Sequence, residues 1–200
     1  MTGIDFTPEL LSQAKDEASL AEAKDIEWKE GNAEDIPFDD NSFDVVLSSF
    51  GHMFALRPEV AIHEMLRVTK TGGRIGFATW PAELANGRLY EAIEKHIPST
   101  PGNPPSPMQW GIPEIIQECL ASNVNNIHFD RGVVNVPLLS LNHYWNRSIT
   151  KSGTMIQVIQ TLKETQKIES LRKDVLQAIS PYIHDNVLRL DYLITTSIKA

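Results

Sequence analysis

A chain of 200 residues, 42% hydrophobic and 22% charged, can bury a sizeable core and fits one domain better than two. Its net charge of -8 and pI near 5.2, with no stripe of Lys and Arg, would repel a phosphate backbone, so no nucleic-acid partner is expected. Cys119 is the single cysteine, which excludes an intrachain disulfide and a cysteine metal centre and fits a reducing cytoplasm; no metal site, signal peptide or membrane span is expected.

Residues 2–6 read as the tail of a strand. Thr7-Pro8-Glu9 supplies an N-cap, a first-turn proline and a first-turn acid, and Leu11, Ala14, Ala18 and Ala21 then recur at helical spacing. Residues 26–29 form a short alternating strand, and residues 43–48 are the most strand-like run in the chain. Pro58 opens a helix whose packing positions are Ala61, Ile62, Met65, Leu66 and Val68; Thr71-Gly72-Gly73 ends it, and residues 74–80 leave as the next strand. Strands alternating with helices imply an α/β fold: a doubly wound, mostly parallel sheet with helices on both faces.

The second half is less regular. Residues 98–107 hold five of the twelve prolines and predict a surface excursion or lid. Short helices are expected near 112–121 and 140–149, with a strand over 124–136 between them. Residues 156–179 carry a helix-period run that stops at Pro181, and 188–198 alternates like an edge strand.

An acid at the end of a strand, just before a helix, suits the ribose of an adenine nucleotide, because a carboxylate accepts from both hydroxyls; Asp5 stands there, and a capping role is the alternative. After the second strand comes a polar loop, Gly31 to Phe38, and then an acidic turn. The string GNAEDIPFDDNSFDVVLSSFGHMF, with GIDFTPELL before it and HEMLRVTKTGGRIGFATW after it, resembles the type 11, quinone-biosynthesis-like branch of the class I S-adenosylmethionine-dependent methyltransferases. The resemblance is strong over residues 2–80 and looser beyond.

It implies a Rossmann-like fold, S-adenosylmethionine as cofactor and a small-molecule methyl acceptor. Asp5 would hold the ribose, Phe6 would lie beside the adenine, Asn32 and Ala33 would meet the adenine edge, and Ser49, Phe50 and Gly51 would lie near the methionine part. An oxygen at position 32 can accept from the adenine amine and the Ala33 N–H can donate to a ring nitrogen; an Asx turn at Asn32 is the other reading. His52 is the best-placed general base for a hydroxyl or acidic-carbon acceptor, against a packing role. Trp80, Tyr90 and Trp110 either line the acceptor pocket or belong to the core. The chain is expected to be one domain, with residues 1–80 binding the cofactor and 81–200 forming the substrate side and the closing strands.

Members of the resembled family begin with a further strand and a glycine-rich turn, and neither precedes Thr2. The expectation is therefore a fold lacking its first strand and glycine-rich loop, through a late start, a broken gene or a split protein. In the last case a partner chain would supply the missing strand between those ending at Asp5 and at Ser48. A non-catalytic fragment is the competing reading. A nicotinamide dehydrogenase would also use the acid at position 5, but no Tyr-x-x-x-Lys pair follows: Tyr90 and Lys95 are five apart.

Overall fold

Prolines mark where three of the helices begin. In the computed structural model, which describes residues 1–97, 105–120, 122–162 and 164–200, α1 (Pro8–Leu20), α2 (Pro58–Val68) and α4 (Pro113–Leu120) each open on a proline. A first-turn N–H has no intrahelical partner, so its loss costs nothing there. The other elements are β1 (Thr2–Asp5), β2 (Glu27–Glu30), β3 (Phe43–Ser49), β4 (Thr69–Thr79), α3 (Ala85–Glu94), β5 (Val124–Pro137), α5 (Leu141–Lys151), α6 (Gly153–Leu162), α7 (Thr165–Ile179), β6 (Ile183–His184) and β7 (Val187–Lys199). The architecture is α/β, as expected.

The chain divides into two units, one of residues 1–77, 119–128 and 196–200 and one of residues 78–118 and 129–195. In the first, β1 and β2 pair in parallel, with Thr2 opposite Glu27 and Asp5 opposite Glu30. Helix α1 packs on both strands through three of the four predicted positions: Leu11 is buried and Ala14 and Ala18 are half-buried, while Ala21 is the exposed C-cap residue. Helix α2 likewise buries all five predicted positions, and Ile75 and Phe77 of β4 are buried in the same unit. Each of the larger side chains among these contributes about 1.5–3 kcal/mol.

The strands form two sheets. One is β1–β2; the other has the order β3-β4-β7-β5, with β6 on β7. Among the described residues no ladder joins β1 to β3, and each of these two strands pairs on one side only.

Two local expectations change. Helix α2 ends at Val68 because Thr69 is already extended at φ -79°, ψ 136°, its buried hydroxyl donating to Met65 O at 2.6 Å. The Gly72-Gly73 pair therefore lies inside β4 and is not the end of the helix. Gly72 has φ +77°, and a Cβ on Gly73 would stand 2.8 Å from Lys70 O and 3.0 Å from Asp44 O, so both positions require glycine. The last strand, read as an edge, is interior: β7 lies between β4 and β5. Period-two alternation reports which faces of a strand are buried, not whether its edges are paired.

In the second unit α3 packs along α7 and α5 against α6. The helix-period run over 156–179 is two helices, α6 and α7, with an extended Glu164 before the second. The break lets both pieces face one apolar cluster: Met155, Val158 and Leu162 from α6 meet Leu171 and Val175 from α7, with Ile93 and Trp145. A second cluster gathers Ala85, Leu138, Ile179 and Leu188. The short helices and the strand expected at 112–121, 140–149 and 124–136 appear as α4, α5 and β5. Most of the proline-rich segment read as a lid, residues 98–104, lies outside the described residues.

Candidate functional site

The parallel register of β1 and β2 brings two of the predicted segments together. Asp5 is opposite Glu30, and the Gly31 N–H donates to Asp5 O at 3.0 Å, so both strands end side by side. Asp5-Phe6 leaves one and Gly31-Asn32-Ala33 leaves the other, at the end of the strands where doubly wound folds hold ligands. Asp5 Oδ1 accepts from the Thr7 N–H at 2.8 Å, whereas the Thr7 hydroxyl makes no cap bond. The carboxylate of Asp5 thus orders the entry to α1, while its Oδ2 has no hydrogen bond among the described residues. Phe6 is 72% exposed.

At Asn32 the Asx turn is present: Oδ1 accepts from the Glu34 N–H at 2.9 Å, and the Asp35 N–H donates to Asn32 O at 3.0 Å. An amide oxygen has a second lone pair, so this turn does not use up its capacity to accept. The Ala33 N–H makes no hydrogen bond among the described residues.

Helix α2 holds the loop that carries Asn32 and Ala33. Glu34 accepts from Arg57 twice, Oε1 from its N–H and Oε2 from its Nε, both at 2.8 Å. The Ile36 N–H donates to Glu64 Oε2 at 2.8 Å. Arg67 then donates five times: Nε to Glu64 Oε1 at 2.7 Å, Nη1 to Phe38 O and Asp40 Oδ1 at 2.8 Å, and Nη2 to Ile36 O at 2.9 Å and Glu64 Oε2 at 2.7 Å. These contacts keep the Glu34 carboxyl low, chiefly through the Arg57 N–H, and the Glu64 carboxyl low, chiefly through the Arg67 guanidinium. Sequence reasoning missed all four residues. The i,i+3 spacing of Glu64 and Arg67 is a visible signal, but it predicts an ordinary helix-surface pair, not a clamp on a distant loop.

The remaining predicted residues lie at the end of β3 and in the turn after it. Ser49 is exposed, and Phe50 adopts φ +59°, a left-handed conformation uncommon outside glycine. Gly51 leads into a 3₁₀ turn over His52–Phe54. The Ser48 hydroxyl braces this turn, accepting from the His52 N–H at 3.1 Å and lying 3.3 Å from His52 Nδ1. The His52 ring is 1% exposed and meets Phe77 edge-on, with centroids 4.6 Å apart. Burial pushes its pKa down to about 4, so it is neutral at pH 7. The Glu34–Arg57 pair ties the loop after β2 to the start of α2, the helix that this turn leads into.

In the second unit Trp110 is buried, Trp80 is half-buried, and Tyr90 Oη lies 3.2 Å from Thr154 Oγ1. Among the described residues no cluster of side chains could hold a metal ion, and no helix is long and apolar enough to cross a membrane.

Comparison with known proteins gives the family and the fold. The family model described as a methyltransferase domain matches residues 1–77. The chain is 30% identical over 202 residues to an uncharacterized protein of Mycobacterium tuberculosis H37Rv, covering 100% of this chain and 73% of that protein. It is 39% identical over 94 residues to the ubiquinone/menaquinone biosynthesis C-methyltransferase UbiE of Roseobacter denitrificans, covering 46% of this chain and 37% of that one. Its fold is similar to that of the YcgJ protein of Bacillus subtilis, with a TM-score of 0.59 at 17% identity over 99% of this chain and 81% of that one. The chain belongs to the class I S-adenosylmethionine-dependent methyltransferases. Its fold is Rossmann-like and its cofactor is S-adenosylmethionine.

Proposed function

We propose that this protein transfers the methyl group of S-adenosylmethionine to a small-molecule acceptor by in-line displacement. Asp5 holds the ribose hydroxyls, Phe6 lies beside the adenine, Asn32 and Ala33 meet its edge, and Ser49, Phe50 and Gly51 lie by the methionine part. The observation that carries this reading is the register of β1 on β2, which brings the strand end with a carboxylate oxygen to spare beside the one followed by a backbone donor that, among the described residues, has no partner. The exposed ring of Phe6 adds an apolar face at the same strand end. These features fit the adenosine half of the donor. For its amino-acid end, no glycine-rich strand-to-helix turn occurs among the described residues, and Gly72-Gly73 lies within β4.

When bound, the donor supplies a methyl group already activated by its sulfonium. The residues of the chain orient it and exclude water. A base with a pKa near 4 is weak, and the surroundings of His52 support a packing role. Calorimetric titration of the 200-residue chain with S-adenosylhomocysteine tests the reading: micromolar binding by a monodisperse sample supports it, and absence of saturable binding overturns it.

A second reading is favoured by the split sheet: the chain binds the donor only after a partner chain lays a strand between β1 and β3. Among the described residues each strand has one unpaired edge, and Val45 and Leu47 of β3 are 52% and 75% exposed. Open edges flanked by apolar side chains are templates for strand addition. Sedimentation velocity with and without S-adenosylhomocysteine separates the two. Binding by the monomer supports the first reading, and binding confined to an associated species supports the second.

A further inference from the structure

The second unit carries a groove that the proposed donor site does not use. Its floor is formed by Leu138 and Leu188, both buried in the apolar cluster beneath, and by the half-buried Val136 and Leu190. Helix α5 forms one wall, with Arg147 and Lys151 along it. The groove is open to solvent and holds about 290 Å³, just below the usual range for small-molecule sites.

Along the β5–α5 side of this groove the charge departs from that of the chain; on β7, Arg189 and Asp191 beside the lining Leu188 and Leu190 pair with each other. From Gly132 to Leu162 there is no Asp or Glu, and the only Lys and Arg are Arg147 and Lys151, in a protein of net charge -8. Both line the groove. Four residues apart on α5, they stand one helical turn from each other on one face. Neither has an ion pair or side-chain hydrogen bond among the described residues. Like charges at this spacing repel and destabilise a helix, and an anion held between them would remove that repulsion. A bare cationic patch would take any anion, and an apolar groove without charge would favour neutral ligands. The combination selects a molecule with an apolar body and one anionic end.

We propose that this groove binds a small amphipathic carboxylate, its apolar chain on the Leu138–Leu188 floor and its carboxylate between Arg147 and Lys151. The site uses no residue of the first unit and needs no methyl donor, so it stands or falls separately from the methyl-transfer reading. The test is calorimetric titration of the full chain with nonanoate and with 1-nonanol, in the absence of donor. Saturable nonanoate binding is expected, at least tenfold tighter than that of nonanol and weakened by added salt. The double variant Arg147→Gln, Lys151→Gln changes two exposed side chains; it should weaken nonanoate at least tenfold and leave nonanol unchanged. No saturable nonanoate binding, equal affinity for the alcohol, or an unchanged affinity in the double variant would each overturn the proposal.

Discussion

Asp5 divides its carboxylate between two tasks, and substitutions can separate them. Asp5→Asn retains an oxygen for the Thr7 N–H but loses the charge offered to the ribose, so affinity for S-adenosylhomocysteine should fall about tenfold with little change in stability. Asp5→Ala also removes the turn contact and should cost about 1 kcal/mol more in a urea melt. His52 yields a pH prediction. Burial lowers its pKa from 6.5 to about 4, so the unfolded chain takes up the proton at higher pH than the folded one. The stability gained from keeping the ring neutral is full above about pH 6.5 and is lost as pH falls toward 4, by up to about 1.4 kcal/mol per pH unit. Glu34 and Glu64, both depressed, add their losses only below the ordinary carboxylate value of 4.5. Urea melts across pH 4.5–6.5 should therefore slope in the native protein and flatten in His52→Leu.

At the scale of elements, α2 both packs the first unit and clamps the loop beside β2. Arg67 makes hydrogen bonds to two backbone carbonyls, Asp40 and Glu64, and Arg67→Ala should cost about 2–4 kcal/mol and weaken donor binding as the loop loosens. Arg67→Lys should recover little, because an ammonium does not reproduce the planar fork. Strand β3 has the opposite character. Its hydrophobic run, the plainest strand signal in the sequence, carries side chains that stay exposed at Val45 and Leu47. Leu47→Lys should accordingly leave stability within about 0.5 kcal/mol while lowering light scattering at high concentration. A loss beyond 2 kcal/mol would show that Leu47 is a core residue.

For the whole molecule, hydrogen exchange mapped by mass spectrometry should resolve two separate ligand footprints. S-adenosylhomocysteine should protect the ends of β1 and β2 and the turn after β3, leaving α5 unchanged. Elements that rest on local chemistry were legible beforehand. Pro8 and Pro58 start α1 and α2, the apolar spacing of 61–68 marks the buried face of α2, and the string from Gly31 to Phe54 carries the family likeness. Of the candidate site, the placement of Asp5, Phe6, Asn32 and Ala33 after two strands was legible, and those strand ends are adjacent, but the clamp that holds the loop was not visible. Its bonds join residues 23 to 31 positions apart, a separation that leaves no periodic trace.

By itself the sequence determined the order of strands and helices through residue 80, the packing faces of α1 and α2, and the family to which the chain belongs. These follow from local backbone preference and from periodic burial, both written along the chain. Only the tertiary structure decided that β7 lies between β4 and β5, that residues 156–179 are two helices sharing one cluster, and that Thr69 and not the glycine pair ends α2. Strand neighbours and shared clusters depend on contacts between distant segments, and burial periodicity records the face a residue turns inward without recording what it meets there.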